Sequence, residues 1–340
     1  MGLFLRHLRE STRVAPIRRS LPAQILSSER PNFVVCPERL VFRLVLSLYM
    51  TQPDSPLPTS SEVLLCSSDT TTEDLELLFM RAYTPASTGS QKFYSILWIN
   101  RLRKDTIQDL EESLKSFFNA NSKLCNPLLI VSTADPQQDH DVFLLSALDL
   151  NPIDFHSLRP FISNDDKLQT WIKMRLRPTD PKLIAASSVD PEQCSVRLVT
   201  SEQAGMGKSV FVLRRVEQLR ALLTRIPQYS AHLTGSSVSV SISMHQKRME
   251  TKYLMDQLFL WRDTNALDEA NRPPAVIHLD VSREVREGLD RVLFALLILS
   301  QLNSRDGFVW LRNPRDRYII ENTPLLQRII SSSMRTSLNS

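Results

Sequence analysis

The sequence predicts an α/β protein of two layered units with mainly parallel sheets, the second organised around a phosphate-binding loop. Three observations carry that prediction. Apolar runs of strand length alternate with stretches whose apolar residues recur at helical spacing, the pattern of a parallel sheet covered on both faces. One set of runs is 63–66 (VLLC), 93–100 (FYSILWIN) and 127–131 (PLLIV); a second is 196–199 (VRLV), 236–244 (SSVSVSISM) and 274–281 (PAVIHLDV). Between the first strand and first helix of the second set stands Gly205-Met206-Gly207-Lys208-Ser209. In that context backbone N–H groups and the helix dipole converge on an anion.

Composition bounds the rest. At 340 residues, 42% hydrophobic and 23% charged, the chain has the make-up of an ordinary globular protein with room for two cores. A net charge of +4 is too small to argue for nucleic acid. Seven glycines against twenty prolines make the Gly205/Gly207 pair stand out. Cys36, Cys66, Cys125 and Cys194 lie far apart with no C-x-x-C pair, which argues against zinc and disulfides and suits a reducing compartment. No apolar run reaches the ~18 residues of a membrane span. Arg6, Arg9, Arg13, Arg18 and Arg19, opposed only by Glu10, read either as a transit peptide or as a solvated basic or arbitrary start of a longer chain. Pro16 and Pro22 interrupt any long amphipathic helix there and favour the second reading.

In chain order, 1–57 is expected to be a basic segment and linker, with an apolar helix or strand at 40–50. A degenerate α/β unit is expected at 58–150. Within it Thr70-x-x-Glu73 reads as a capping box for a helix bearing Leu75, Leu78 and Phe79. Residues 105–119 are expected to form an amphipathic helix, with Ile107, Leu110, Leu114, Phe117 and Phe118 inward and Glu111, Glu112 and Lys115 outward. Asp69, Asn100 and Asp135 lie near strand ends without phosphate-binding glycines beside them, so no role is assigned. Residues 151–193 are a proline-rich packed linker with a short helix at 165–175. The phosphate-loop unit occupies 194–330, and 331–340 is a tail. In this unit the helix after the loop carries Val212, Leu213, Val216, Leu219 and Leu223. A second helix bears Met249, Tyr253, Leu254, Leu258 and Trp261, and a third, capped by Ser282, runs from Val285 through Leu297. Short strands are expected at 308–311 and 318–320.

The chemistry expected of the loop is nucleotide binding. Gly205, Met206 and Gly207 would cradle phosphates, Lys208 would reach the β- and γ-phosphates, and Ser209 would ligate Mg²⁺. The pattern G-x-x-x-x-G-K-[ST] departs at its first glycine, where Glu202 stands. Asp280, ending the apolar run AVIHL, is either a second metal-side carboxylate or the start of a strand-to-helix turn. The residue after it, Val281, can neither accept a proton nor polarise water. ATP and Mg²⁺ are therefore the expected cofactors, with weak or absent turnover and no catalytic residue assigned. Asn313 and Asn322 are the candidate polar residues near a γ-phosphate.

The runs VTSEQAGMGKS, VIHLDVSREVREGLDRVLFALLILSQLNSRDGFVWLRNPRDRYIIEN and PTSSEVLLCSSDTTTEDLELLFMRAY resemble the mysterin-like family of giant RING-finger E3 ubiquitin ligases with a dynein-like AAA+ core. The resemblance spans roughly 58–321; the first fifty residues and the end of the chain lie outside it, as suits a truncated or mispredicted gene product. It implies an AAA+ module, here without its helical lid, working beside neighbouring AAA modules and ubiquitination machinery in the cytoplasm. RING and zinc-binding parts are implied elsewhere in such a protein and have no counterpart in these cysteine and histidine spacings. Of the family's nucleotide motif, Gly205, Gly207, Lys208 and Ser209 match firmly and Asp280 loosely. Two other readings stay open: an active motor module using Glu284 or a neighbour's acid, and a structural segment with a vestigial loop. No nucleic acid and no membrane span are expected as partners.

Overall fold

The computed structural model describes residues 19, 25–85, 92–110, 112, 124–133, 150–162, 165–176, 195–200, 207–226, 238–264, 273–304, 306–313 and 315–322. The chain divides into two units: Met1–Pro56 with Ser61–Ile162, and Leu57–Ser60 with Ser163–Ser340.

The first unit contains β1 (Asn32–Val35), α1 (Val41–Tyr49), β2 (Val63–Leu65), α2 (Thr72–Tyr83), β3 (Tyr94–Leu97), helical residues 104–110, β4 (Leu128–Ser132), β5 (Asn151–Ile153) and the single turn α3 (Phe155–Leu158). Its five strands are all parallel, in the order β2-β3-β4-β1-β5. This sheet takes β1 from the segment expected to be a basic start and β5 from the expected linker. Both runs are too short to stand out by periodicity. The 40–50 stretch, open between helix and strand, is α1; its Val41, Leu44, Val45, Leu48 and Tyr49 are all buried. The capping box sits one residue later than expected, on Thr71 and Asp74. Thr70 is otherwise engaged, accepting from the Ser67 N–H at 2.9 Å. β3 stops short of Asn100 because Trp98 turns left-handed at φ 59°. Asn100 then ties two strand ends, its Oδ1 accepting from the Thr133 N–H at 3.1 Å. Arg19 and Glu62 form a buried ion pair at 2.8 Å, with the guanidinium also over the Tyr49 ring.

The second unit contains α4 (Asp165–Arg175), β6 (Val196–Thr200), α5 (Lys208–Thr224), β7 (Ser239–Met244), α6 (Thr251–Thr264), β8 (Val276–Val281), α7 (Leu289–Leu293), which runs into a π turn at Phe294–Ile298, β9 (Gln301–Asn303), β10 (Val309–Leu311) and β11 (Arg317–Asn322). β9 and β10 form an antiparallel ribbon. The main sheet is parallel, in the order β6-β11-β8-β7. Numbered within each unit, the second, third, fourth and first parallel strands lie side by side in both. The two units thus repeat one topology.

Strand alternation sorts the second sheet into two faces. Val276 and Ile319 pack with Val212, Leu219 and Leu223 of α5. Ile277, Leu279, Val281, Tyr318 and Ile320 pack with Leu254 and Leu258 of α6 and Leu289 and Val292 of α7. The helix expected from Ser282 starts only after Gly288, which is left-handed at φ 81°. The intervening backbone is drawn into pairing instead: Met249 N–H donates to Glu287 O, and Arg286 N–H to Lys247 O.

Candidate functional site

The site lies at the carboxyl ends of the second sheet's strands, the usual ligand edge of an open α/β sheet. Gly207 precedes α5 in the left-handed region at φ 76°, a conformation L side chains adopt at a cost. Lys208 and Ser209 are therefore the first two residues of a seventeen-residue helix. Its opening N–H groups lack intrahelical partners and its dipole favours negative charge there. Gly205, Met206 and Glu202 lie outside the described residues.

β11 lies between β6 and β8, so its end sits beside the start of α5. Glu321, 8% exposed, projects to the α5 face. Its Oε1 is 3.7 Å from Lys208 Nζ, and its Oε2 accepts from Ser209 Oγ at 3.4 Å. On β8, His278 Nε2 stands 3.2 Å from the same Oε2. The approach lacks hydrogen-bond alignment, so Nε2 is a buried polar atom without a well-formed hydrogen bond. His278 Nδ1 is better served, 2.8 Å from Ser241 Oγ on β7. A polar chain thus crosses from β7 through β8 and β11 to the first turn of α5.

Asp280 pairs in register with Glu321 and with Ser243, which puts the two carboxylates level on the same face. Among the described residues the Asp280 side chain makes no hydrogen bond or ion pair. Val281 points the other way and is 3% exposed within the α6/α7 core. A carboxylate at 281 would be buried among apolar side chains rather than aimed at α5. Glu284 sits in the exposed turn beyond β8, its N–H bonded to Ser282 Oγ. Asn313 is occupied in a turn, accepting from the Arg315 N–H at 3.0 Å. Asn322 pairs with Thr200 and Val281 at the end of β11. Of the expected site residues, then, Lys208 and Ser209 are adjacent and Asp280 lies on the neighbouring strand level with their partner Glu321. Glu321 and His278 were not singled out from sequence. Their only local signal is a charged or titratable residue inside a short apolar run.

The arrangement offers an ammonium, a hydroxyl and two carboxylates at a helix N-terminus: donors for a polyphosphate and oxygens for a hard divalent cation. The donor set is of a type that fits a magnesium-chelated nucleotide. Among the described residues the first unit shows no such set after β1. After β1 comes Cys36-Pro37-Glu38-Arg39-Leu40, in which Pro37 has no N–H to donate and the Glu38 carboxylate pairs with Arg101.

Parallel sheets layered between helices, with a Gly-Lys-Ser turn opening the helix after an outer strand of the second sheet, define an AAA-type α/β core present twice. The chain belongs to the RNF213 AAA domain family: its residues 31–151 match one RNF213 AAA domain and residues 191–340 another. It is 30% identical over 95% of its length to the human E3 ubiquitin-protein ligase RNF213. The mouse protein of that name is 29% identical over 94% of the chain, and zebrafish E3 ubiquitin-protein ligase rnf213-beta 26% identical over 94%. The chain spans 6% of the length of each of these relatives. Among the described residues no helix is long and apolar enough to cross a membrane.

Proposed function

We propose that the second unit is an ATP-binding AAA module with weak or absent hydrolysis, and that the first unit is its degenerate neighbour. The observation that carries this reading is the placement of Lys208 and Ser209 on the first turn of α5, with Glu321 in contact with both and Asp280 level with Glu321 on the next strand. Lys208 would neutralise phosphate charge, the α5 N–H groups would donate to phosphate oxygens, and Ser209 with Asp280 would hold the metal side. Mg²⁺, when bound with the nucleotide, would offset the negative charge of the phosphates. Slow turnover follows from position 281: its valine faces the core, so the strand that carries Asp280 presents no following carboxylate to a water. ATP then acts as a structural ligand, stabilising the folded unit by mass action. By analogy with its relatives, the chain works beside other AAA modules and the ubiquitination machinery of a larger E3 ligase, in the cytoplasm.

Calorimetric titration with ATP and Mg²⁺ tests the reading. Binding by the wild-type chain that disappears in Lys208→Ala supports it, with phosphate release near background. Equal binding by both proteins moves the nucleotide elsewhere, and brisk phosphate release selects the active-motor alternative.

A further inference from the structure

A carboxylate engages both Lys208 and Ser209. We infer that Glu321 is an internal counter-anion which occupies these two side chains until a nucleotide arrives with its divalent cation, so that the site selects chelated over metal-free nucleotide. The inference rests on the nucleotide-binding reading and adds a selectivity to it.

Three observations support it. Glu321 reaches Lys208 Nζ with one oxygen, at 3.7 Å, and Ser209 Oγ with the other, at 3.4 Å. Both distances are long for charge-assisted contacts, so the carboxylate is held without being locked. Second, a further berth lies beside it. His278 is more than nine-tenths buried, and its Nε2 aims at Glu321 Oε2 from 3.2 Å without a formed hydrogen bond. Ser241 holds the ring from behind through Nδ1. A small rotation of Glu321 towards His278 would complete that bond and release Lys208. Third, Asp280 stands level with Glu321 on the next strand. Lys208 is the one lysine or arginine among the described contacts of Glu321, and Asp280 adds a second carboxylate level with it on the next strand. A metal-free triphosphate therefore meets an acidic surface whose lone ammonium is already paired. When the cation comes with the phosphates, the same two carboxylates become favourable neighbours of the metal shell.

The test compares ATP binding in excess Mg²⁺ and in EDTA for the full wild-type chain and Glu321→Gln, with folding followed by far-ultraviolet circular dichroism. The expected result is a wild-type gap between the two conditions that narrows at least about tenfold in Glu321→Gln, or ~1.4 kcal/mol. The narrowing comes from tighter binding in EDTA. Glu321→Asp, which keeps the charge but withdraws it from Lys208, shifts the gap the same way by less and serves if the glutamine variant does not fold. An unchanged gap in folded variants overturns the counter-anion role while leaving nucleotide binding intact. So does an equal loss of affinity in both conditions. Absence of wild-type binding in Mg²⁺ defeats the nucleotide reading itself, and the counter-anion with it.

Discussion

Gly288 and Gly307 have nearly the same backbone angle, φ 81° and 79°, but different surroundings, and alanine substitution separates two costs. Each variant incurs the left-handed penalty of ~1–2 kcal/mol. At Gly307 a Cβ meets nothing within 4 Å, so the cost stops there. At Gly288 it would lie 2.4 Å from the carbonyl oxygen of Met249, a backbone atom fixed by the pairing between residues 247–249 and 286–287. Relief requires breaking the Met249 N–H to Glu287 O bond or shifting the start of α7, adding the ~1–3 kcal/mol typical of an overpacked site. Gly288→Ala should therefore lose about 2 to 5 kcal/mol in urea unfolding followed by circular dichroism, and Gly307→Ala about 1 to 2. Equal losses would refute the claim that the 247–249 strap, rather than φ alone, demands glycine before α7.

Other outcomes follow from single contacts. Glu62→Ala leaves Arg19 buried beside its former partner and should cost ~3–5 kcal/mol, whereas the double variant Arg19→Met/Glu62→Leu should recover most of that in the same assay. Burial pushes the Cys36 thiol up to about 12. Iodoacetamide at pH 8 should accordingly label exposed Cys125 well before Cys36, by peptide mass spectrometry of the native protein. The same raised value sets a pH dependence. Below pH 9 folded and unfolded thiols are both protonated; between about 9 and 12 only the unfolded chain releases the proton, so stability falls as pH rises. Tyr83, also raised to about 12 by burial, acts in the same direction above pH 10. Cys36→Ala should flatten part of that alkaline slope in denaturation midpoints, and an unchanged slope would assign it to the tyrosines.

Much of the second unit could be read along the chain. β6, α5, β7 and β8 lie where period-two runs and helical spacing put them, because each element carries its own burial pattern. Lys208 and Ser209 follow from a local rule, a glycine turn opening a helix. Glu321 could not be read in that way. It lies 112 residues beyond Ser209, and its meaning depends on β11 inserting between β6 and β8, a long-range choice no local window contains. His278 looked like one polar residue in an apolar strand until strand order put Ser241 on one side and Glu321 on the other. In the first unit β1 and β5 were missed for a related reason. Four and three residues are too few to show a period, and parallel pairing to distant strands is what holds them. The late start of α7 has a more local cause, since Gly288 stood in the sequence but its left-handed turn is fixed by the facing 247–249 backbone.

A structure of the chain determined with ATP and Mg²⁺ bears most directly on the central claim. It should place the terminal phosphate within hydrogen-bonding distance of Lys208 Nζ and the metal on Ser209 Oγ, with Glu321 turned towards His278. Nucleotide bound elsewhere, or Lys208 still paired with Glu321 at saturating ATP, would contradict the account.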